Sequence, residues 1–412
     1  RLMLNIRAPL ADDQRGRNAQ RQLARWYQET EFEPRDAVLF QCYRGEFSTD
    51  SQRAIHEELF RRGSPLQLLW AVSSYSVPLP EGALPLLIGS RAWYEAVGSA
   101  RYLCQNIDYD RFFRKRSHQK YLQTFHGYPW KSMGVSLWRV QGKSESLITA
   151  ECERRNSAWD SILVPAEFCE ELYRREYRYP HEVLVTGYPR DDALVNSDLD
   201  AARAQVLARL GIGADKTVVL YAPTWRDTVA TGAWTAKLFD ELDLNYVTRQ
   251  LGDDFALLLR GHNYNLREGS AGSSASVLDV SSYPEINDLI LAADAAILDY
   301  SSLRFDWMLT GKPVLFFVPD LANYLSARTV LFEYGPTAPG PMLTTTEQVV
   351  EALGDLSSVT TEYATARETF NLEFQTLHDG HATERVVDSF FGVDAWPHRT
   401  PMLDPAMTPK AG

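Results

Sequence analysis

At 412 residues, with 45% hydrophobic and 12% aromatic content, the chain is long enough to bury more than one core. A formal charge of −12 and a pI near 5.2 exclude a general nucleic-acid binder, whose grip on the phosphate backbone rests on accumulated Lys and Arg. No stretch approaches the roughly 20 apolar residues of a membrane-crossing helix, and Arg1 and Arg7 alone make no targeting pattern, so a cytoplasmic protein, free or peripheral at the inner face of the membrane, is expected.

Residues 1–35 read as a helical lead-in, and the opening on Arg1 rather than Met leaves room for a longer parent chain. From about Asp36 short apolar runs alternate with amphipathic stretches: AVLFQCY, LQLLWAV, LPLLIG, RYLCQN, YLQTFH, SILVP and EVLVTG. Runs this short and this apolar predict buried parallel strands. Between them Ile55, Leu59 and Phe60, then Trp93, Tyr94 and Val97, fall at helical spacing. This βα repetition predicts a Rossmann-like domain over 36–190. After the polar stretch Asp191–Lys216 the pattern resets with TVVLYAP, FALLLRG, SVLDV, AAILDY and PVLFFV, predicting a second such domain over 191–360. Two Rossmann-like α/β domains facing across a cleft form the GT-B architecture, with ligands beyond the carboxyl ends of the strands. In the remainder, 361–412, one long helical segment from Thr361 to Phe391 is expected to pack back across both halves, ahead of a loosely ordered Pro-rich tail. Cys42, Cys104, Cys152 and Cys169 are scattered without a CxxC pair or a His cluster, so they read as core thiols in a reducing compartment, with neither disulfide nor structural zinc expected.

Five polar clusters sit where predicted strands end. Phe125-His126-Gly127-Tyr128-Pro129-Trp130-Lys131 follows YLQT; an imidazole beside Gly suits removal of a proton from an attacking hydroxyl, or else caps a turn. Arg260-Gly261-His262-Asn263 offers a cation and a second imidazole able to offset a diphosphate, or an ordinary surface turn. Asp299-Tyr300-Ser301-Ser302 closes AAILDY and opens a helix, so its serines cap that helix, hold an anion, or do both. In Tyr221–Asp227, Thr224 and Arg226 are candidates for phosphate contact, while Trp225 next to the Pro-Thr pair reads more readily as packing. Thr186–Asp191, with Gly187 and Pro189, reads as an interdomain turn.

In this order the clusters resemble the CDP-glycerol glycerophosphotransferase family, whose members make or prime teichoic-acid-like polymers. The resemblance runs from about Val38 to Pro341 and rests on His126–Lys131, Thr186–Asp191, Tyr221–Asp227, Arg260-Gly261-His262, and Asp294 followed by Asp299–Ser302. It implies a GT-B fold, a CDP-glycerol or CDP-ribitol donor held in the second domain, and a polyanionic teichoic-type or capsule acceptor met in the first. It also implies His126 as the base, with His262, Ser301 and Ser302 on the donor diphosphate. Tyr128 and Trp130 stand where the family commonly has Thr and Leu, which is expected to reshape the acceptor pocket, and Asn263 replaces a frequent Pro.

The expected reaction is attack by the acceptor hydroxyl on the phosphorus bearing the polyol, with CMP leaving. His126 and His262 form the catalytic set, and Thr224, Arg226, Arg260, Asp299, Ser301 and Ser302 the donor-binding set. No metal or other cofactor is expected, because Asp191-Asp192 and Asp253-Asp254 lack metal-ligand spacing. Lys131 with Arg114, Lys115 and Arg116, in a run from Arg111 to Lys120, is the candidate path for a polyanionic acceptor, and Arg174, Arg175 and Arg178 form a second basic run. Either run instead suits anionic lipid headgroups or is a solvated face. The competing functions are a GT-B glycosyltransferase using a nucleotide sugar and a catalytically idle polymer- or lipid-binding module.

Overall fold

The computed structural model describes residues 10–224, 230–232, 235–236, 241–261, 277–327 and 329–392. The lead-in helix α1 (Gly16–Glu29) buries Tyr27 against Phe32, Tyr94 and Phe112, which fixes it to the first domain. That domain runs β1 (Arg35–Gln41), α2 (Asp50–Arg61), β2 (Gln67–Val72), β3 (Leu84–Leu87), α3 (Arg91–Ser99), β4 (Ala100–Gln105) and β5 (Lys120–Gln123). It continues with α4 (Gly134–Val140), α5 (Glu145–Asn156), β6 (Ser161–Val164), α6 (Glu167–Tyr177) and β7 (Glu182–Val185). Its seven strands pair in the order β3-β2-β1-β4-β5-β6-β7, all parallel among the described residues. Helices cover both faces, which is why strands such as Ser161–Val164 are buried throughout and appear in the sequence as short, mostly apolar runs.

The second domain follows α7 (Asp192–Asn196) and α8 (Leu199–Leu210). It comprises β8 (Thr217–Ala222), a hairpin of β9 (Ala230–Gly232) and β10 (Thr235–Ala236), α9 (Leu244–Leu251), β11 (Phe255–Leu259) and β12 (Val277–Asp279). Then come α10 (Ile286–Ala292), β13 (Ala295–Leu298), α11 (Leu303–Met308), β14 (Val314–Phe317), α12 (Leu321–Ala327), β15 (Met342–Leu343) and α13 (Thr346–Gly354). Its sheet order, β12-β11-β8-β13-β14-β15, repeats the doubly wound pattern of the first, so the two sheets make the GT-B pair expected from the strand series. Each sheet changes direction once, between β1 and β4 in the first and between β8 and β13 in the second. Those two switch points are where a fold of this kind receives its ligands.

The expected single helix from Thr361 to Phe391 is instead broken into α14 (Leu356–Glu362, entering the segment), α15 (Ala364–Phe374), α16 (Ala382–Val386) and a π-turn over Val387–Phe391. Gly380, at φ +83°, makes the turn that separates the last two pieces from α15. The broken path touches both domains: Phe374 packs on Phe168 of α6 and on Phe305 of α11, and Phe391 meets Tyr102 of β4. All four cysteines are buried free thiols. Among the described residues no helix is long and apolar enough to cross a membrane.

Candidate functional site

The loop after β5 carries the first candidate. Phe125 is in the left-handed region (φ +54°), which turns the chain sharply so that His126 stands exposed at the strand ends while Phe125 packs on Tyr173. The His126 Nδ1 lies 3.1 Å from the backbone oxygen of Asn106, the residue that follows β4 at the switch point of the first sheet. A carbonyl only accepts, so Nδ1 carries the hydrogen in that contact and Nε2 is the basic nitrogen of the neutral ring. The Tyr43 ring stands edge-on to the imidazole at 5.8 Å, and the Tyr188 hydroxyl donates to the Gly127 carbonyl at 2.9 Å.

The serine turn at the end of β13 faces this loop directly. A Cβ placed on Gly127 would fall 2.7 Å from the Ser302 Oγ, so only glycine permits this approach without movement. The Ser301 Oγ accepts from the Leu303 N–H at 3.2 Å, a local cap. Because α11 is six residues long, an anion here would be held by hydroxyls and backbone N–H groups rather than by a long helix dipole. The Asp299 carboxylate accepts from the Thr224 N–H at 2.8 Å and from its hydroxyl, tying the end of β8 to the end of β13 across the second switch point. Both residues are expected on the donor; in the structure they bond to each other. Arg226 and His262 lie outside the described residues.

Two facing switch points, with an oriented imidazole on one and a serine turn on the other, suit transfer between a hydroxyl acceptor and a phosphorylated donor. Residues 25–392 match the family described as CDP-Glycerol:Poly(glycerophosphate) glycerophosphotransferase. The chain belongs to this glycerophosphotransferase family. It is 31% identical over 363 residues to a teichoic acid poly(glycerol phosphate) polymerase of Bacillus subtilis, covering 87% of this chain and 49% of that protein. It is 29% identical to the teichoic acid glycerol-phosphate transferase of Staphylococcus aureus, covering 87% of this chain and 93% of the relative. The chain thus spans about half the length of the B. subtilis relative and nearly all of the S. aureus one. A histidine-to-alanine variant of the wall teichoic acid polymerase TagF superposes with a TM-score of 0.84 at 26% identity, over 91% of this chain and 93% of that one. A histidine-to-asparagine variant of TagF soaked with CDPG gives 0.83.

In this member of the family the aromatics beside His126 have a different place from the one expected. Tyr128 stacks on Phe305 of α11 at 4.2 Å, and its hydroxyl donates to the Phe374 carbonyl. Trp130, 0% exposed, donates to the Phe332 carbonyl at 3.1 Å, and the Arg304 guanidinium lies over its ring at 4.5 Å. The Leu331 N–H bonds the Trp130 carbonyl, the Ser132 N–H bonds the Thr329 carbonyl, and Lys131 bridges to Val330 with its Nζ 5.8 Å from the Tyr324 ring centre. Tyr128 and Trp130 therefore do not shape an acceptor pocket. They are buried between the domains, where two large rings remove the most apolar surface from water. Lys131, expected on the acceptor, sits over a second-domain ring in the same contact.

Arg260 is a further correction. Its guanidinium donates to the carbonyls of Val280 and Tyr283 in the turn after β12, the first of which also takes the Tyr283 N–H, and burial lowers its pKa. The basic runs are likewise taken up locally. Arg111 pairs with Glu151 at 2.5 Å and Lys115 with Asp160, while Arg114 donates to the Arg111 and Phe113 carbonyls. Arg116 donates to the Tyr27 carbonyl and lies over the Tyr27 ring, which fastens α1. In the second run Arg174 pairs with Glu170, Arg175 with Glu176 and Arg178 with Glu145, at 2.8, 2.9 and 2.7 Å. Five of these cations thus pair with carboxylates, while Arg114 and Arg116 are held by carbonyls of the chain. Among the described residues no group of three or more His, Cys, Asp and Glu side chains is placed to hold a metal ion.

In the sequence Thr186–Asp191 reads as a turn; in the structure it also carries one side of a buried ion cluster. The Arg190 side chain, 8% exposed, reaches Asp50 of α2 at 3.3 Å, Asp191 at 3.4 Å and Asp306 of α11 at 2.7 Å, and Asp191 bonds His378 at 3.0 Å. Burial alone would lower the Arg190 pKa, but Asp306, Asp50 and Asp191 together push it well up. Burial drives the Asp306 carboxyl well above the usual range, with Arg190 opposing. One visible signal was Asp306 itself, a single carboxylate in the otherwise apolar stretch Phe305–Leu309.

Proposed function

We propose that the chain transfers glycerol phosphate from CDP-glycerol to the terminal hydroxyl of a teichoic-acid-type polymer and releases CMP. The observation that carries this reading is the contact between the His126 loop and the Ser302 turn, because it sets a base with a defined tautomer against the turn that opens the donor-side helix. The acceptor hydroxyl gives its proton to His126 Nε2, its oxygen bonds to the phosphorus bearing glycerol, and the phosphoanhydride bond to CMP breaks with its electrons on the departing phosphate. His126 then returns the proton to solvent or to CMP. Ser301 and Ser302, with His262 and Arg226, are the proposed donor-phosphate groups, so catalysis is positioning plus charge stabilisation. CDP-ribitol is the alternative donor, since a ribitol-phosphate polymerase of Bacillus spizizenii is 30% identical over 246 residues. The proposed compartment is the cytoplasm, in keeping with four unpaired thiols. A seat on an anionic membrane surface draws little support from the two basic runs, most of whose named charges pair with carboxylates of the chain.

The test is CMP release from CDP-glycerol and CDP-ribitol, with and without a glycerol-phosphate-primed acceptor, for the wild type and His126→Ala. The expected result is acceptor-dependent release that falls by about 10²- to 10⁴-fold in the variant. No release with either donor, together with binding of a UDP-sugar, overturns the proposal in favour of sugar transfer.

A further inference from the structure

Left-handed backbone is costly for residues with a Cβ, and where it is found in a native fold it is held by its surroundings and concentrates at functional sites. Among the described residues the non-glycine positions with positive φ are Tyr43 (+43°), Arg44 (+58°), Asp50 (+63°), Phe125 (+54°) and Arg178 (+48°). Phe125 precedes His126, Tyr43 touches its ring, and Asp50 bonds to Tyr43. Asp50 is 5% exposed, and both of its oxygens are taken. Oδ2 accepts from the Asn106 amide at 2.8 Å and from the Tyr43 hydroxyl at 3.1 Å; Oδ1 accepts from the Ser51 N–H at 2.7 Å and from Arg190 at 3.3 Å. The other side of the Asn106 amide accepts from the Tyr43 N–H at 3.0 Å, so the residue is clamped at both ends of its side chain. Its backbone oxygen is the atom that receives His126 Nδ1. Arg190, on the far side of Asp50, reaches Asp306 on the helix that begins after Ser302.

We infer that Asp50 is a positioning residue for the transfer reaction: acting through Asn106 and Tyr43, it holds the His126 ring in the tautomer that makes Nε2 basic, and through Arg190 it ties that orientation to the Ser302 helix. The four hydrogen bonds that fill its oxygens keep it off the substrate, so its effect passes through the imidazole. The inference rests on the reading of His126 as the base, and the experiment separates the two.

Asp50→Asn keeps the shape of the side chain and removes its charge and half of its accepting capacity. In CMP-release kinetics with CDP-glycerol and a glycerol-phosphate-primed acceptor, kcat is expected to fall about 10- to 100-fold, the scale on which losing an orienting partner of a histidine acts. KM for CDP-glycerol is expected to stay within about twofold, because the loss lies in the oriented base and not in donor binding. The ring ¹⁵N resonances of His126, assigned by their disappearance in His126→Ala, are expected to change from a single Nδ1–H form to a mixture, which a purely structural role would not produce. Wild-type kcat in Asp50→Asn, or a retained single tautomer, overturns the proposal. Should Asp50→Asn not fold, Asn106→Ala, which keeps the carbonyl but removes the clamp, carries the same expectations and the same refutation. If His126→Ala releases CMP as fast as the wild type, it is the base reading that fails; if His126→Ala is inactive while Asp50→Asn is unimpaired, the positioning role alone fails.

Discussion

Gly127→Ala tests the contact on which the proposed function stands. The added Cβ would lie 2.7 Å from the Ser302 Oγ, about 0.7 Å inside the 3.4 Å at which ordinary contact begins. Two responses are open to the molecule. The loop and the serine turn separate, costing about 1–3 kcal/mol as overpacking does, or the Ser302 hydroxyl rotates away at little cost in stability. Both displace a reacting-site group by most of an ångström, and a misplacement of about 1 Å lowers a rate by about 10²-fold. The expected kcat/KM for CMP release is therefore about 10- to 100-fold below wild type, with a lower melting temperature only if the loops separate. Ser302→Ala removes the clashing atom, leaving a Cβ at 3.6 Å, which is ordinary contact. The double variant Gly127→Ala/Ser302→Ala should accordingly be no slower than the slower single variant, a non-additive cycle. Wild-type kinetics in Gly127→Ala, or losses that simply multiply in the double variant, would refute the reasoning.

Arg190→Met leaves Asp50, Asp191 and Asp306 buried without their shared cation and should lower unfolding stability by about 3–5 kcal/mol in a urea titration; Arg190→Lys should restore little, since an ammonium cannot fork between them. Lys115→Ala should leave CMP release unchanged and cost at most about 1 kcal/mol in the same titration, because its ammonium is paired with Asp160. Lys312 donates to the carbonyls of Ile290, Leu291 and Ala293, and burial lowers its pKa from 10.5 to about 8. Between those values the unfolded chain holds the proton that the folded chain has shed, so this group makes stability rise with pH across that window. Melting curves of wild type and Lys312→Met from pH 7 to 10.5 should diverge in the wild type's favour above pH 8.

Both sheets were legible because parallel strands covered on two faces are apolar along nearly their whole length, as Ile162–Val164 and Ala295–Leu298 are. His126 and Ser301-Ser302 were legible for a related reason: polar residues directly after such runs fall at the carboxyl edge of the sheet. The partners of charges were not. Lys115 finds Asp160, and Arg190 finds Asp50 and Asp306, through folding that brings distant segments together, and no spacing along the chain announces those pairs. Nearness in sequence also misled, since Tyr128 and Trp130 flank the proposed base yet serve the domain contact. The break in the C-terminal helix did have a signal in Asp379-Gly380, outweighed by the helical spacing around it.

The backbone bonds from Trp130 and Ser132 to Leu331 and Thr329 splice a strip of the first domain onto the second. A clamshell motion of the two sheets would have to tear that splice, pull Trp130 from beneath Arg304 and part Arg190 from Asp306 in one movement. The imidazole and the serine turn therefore behave as one jaw of the enzyme rather than as two. In the proposed transfer the chemical step would therefore begin with the imidazole loop and the serine turn already side by side.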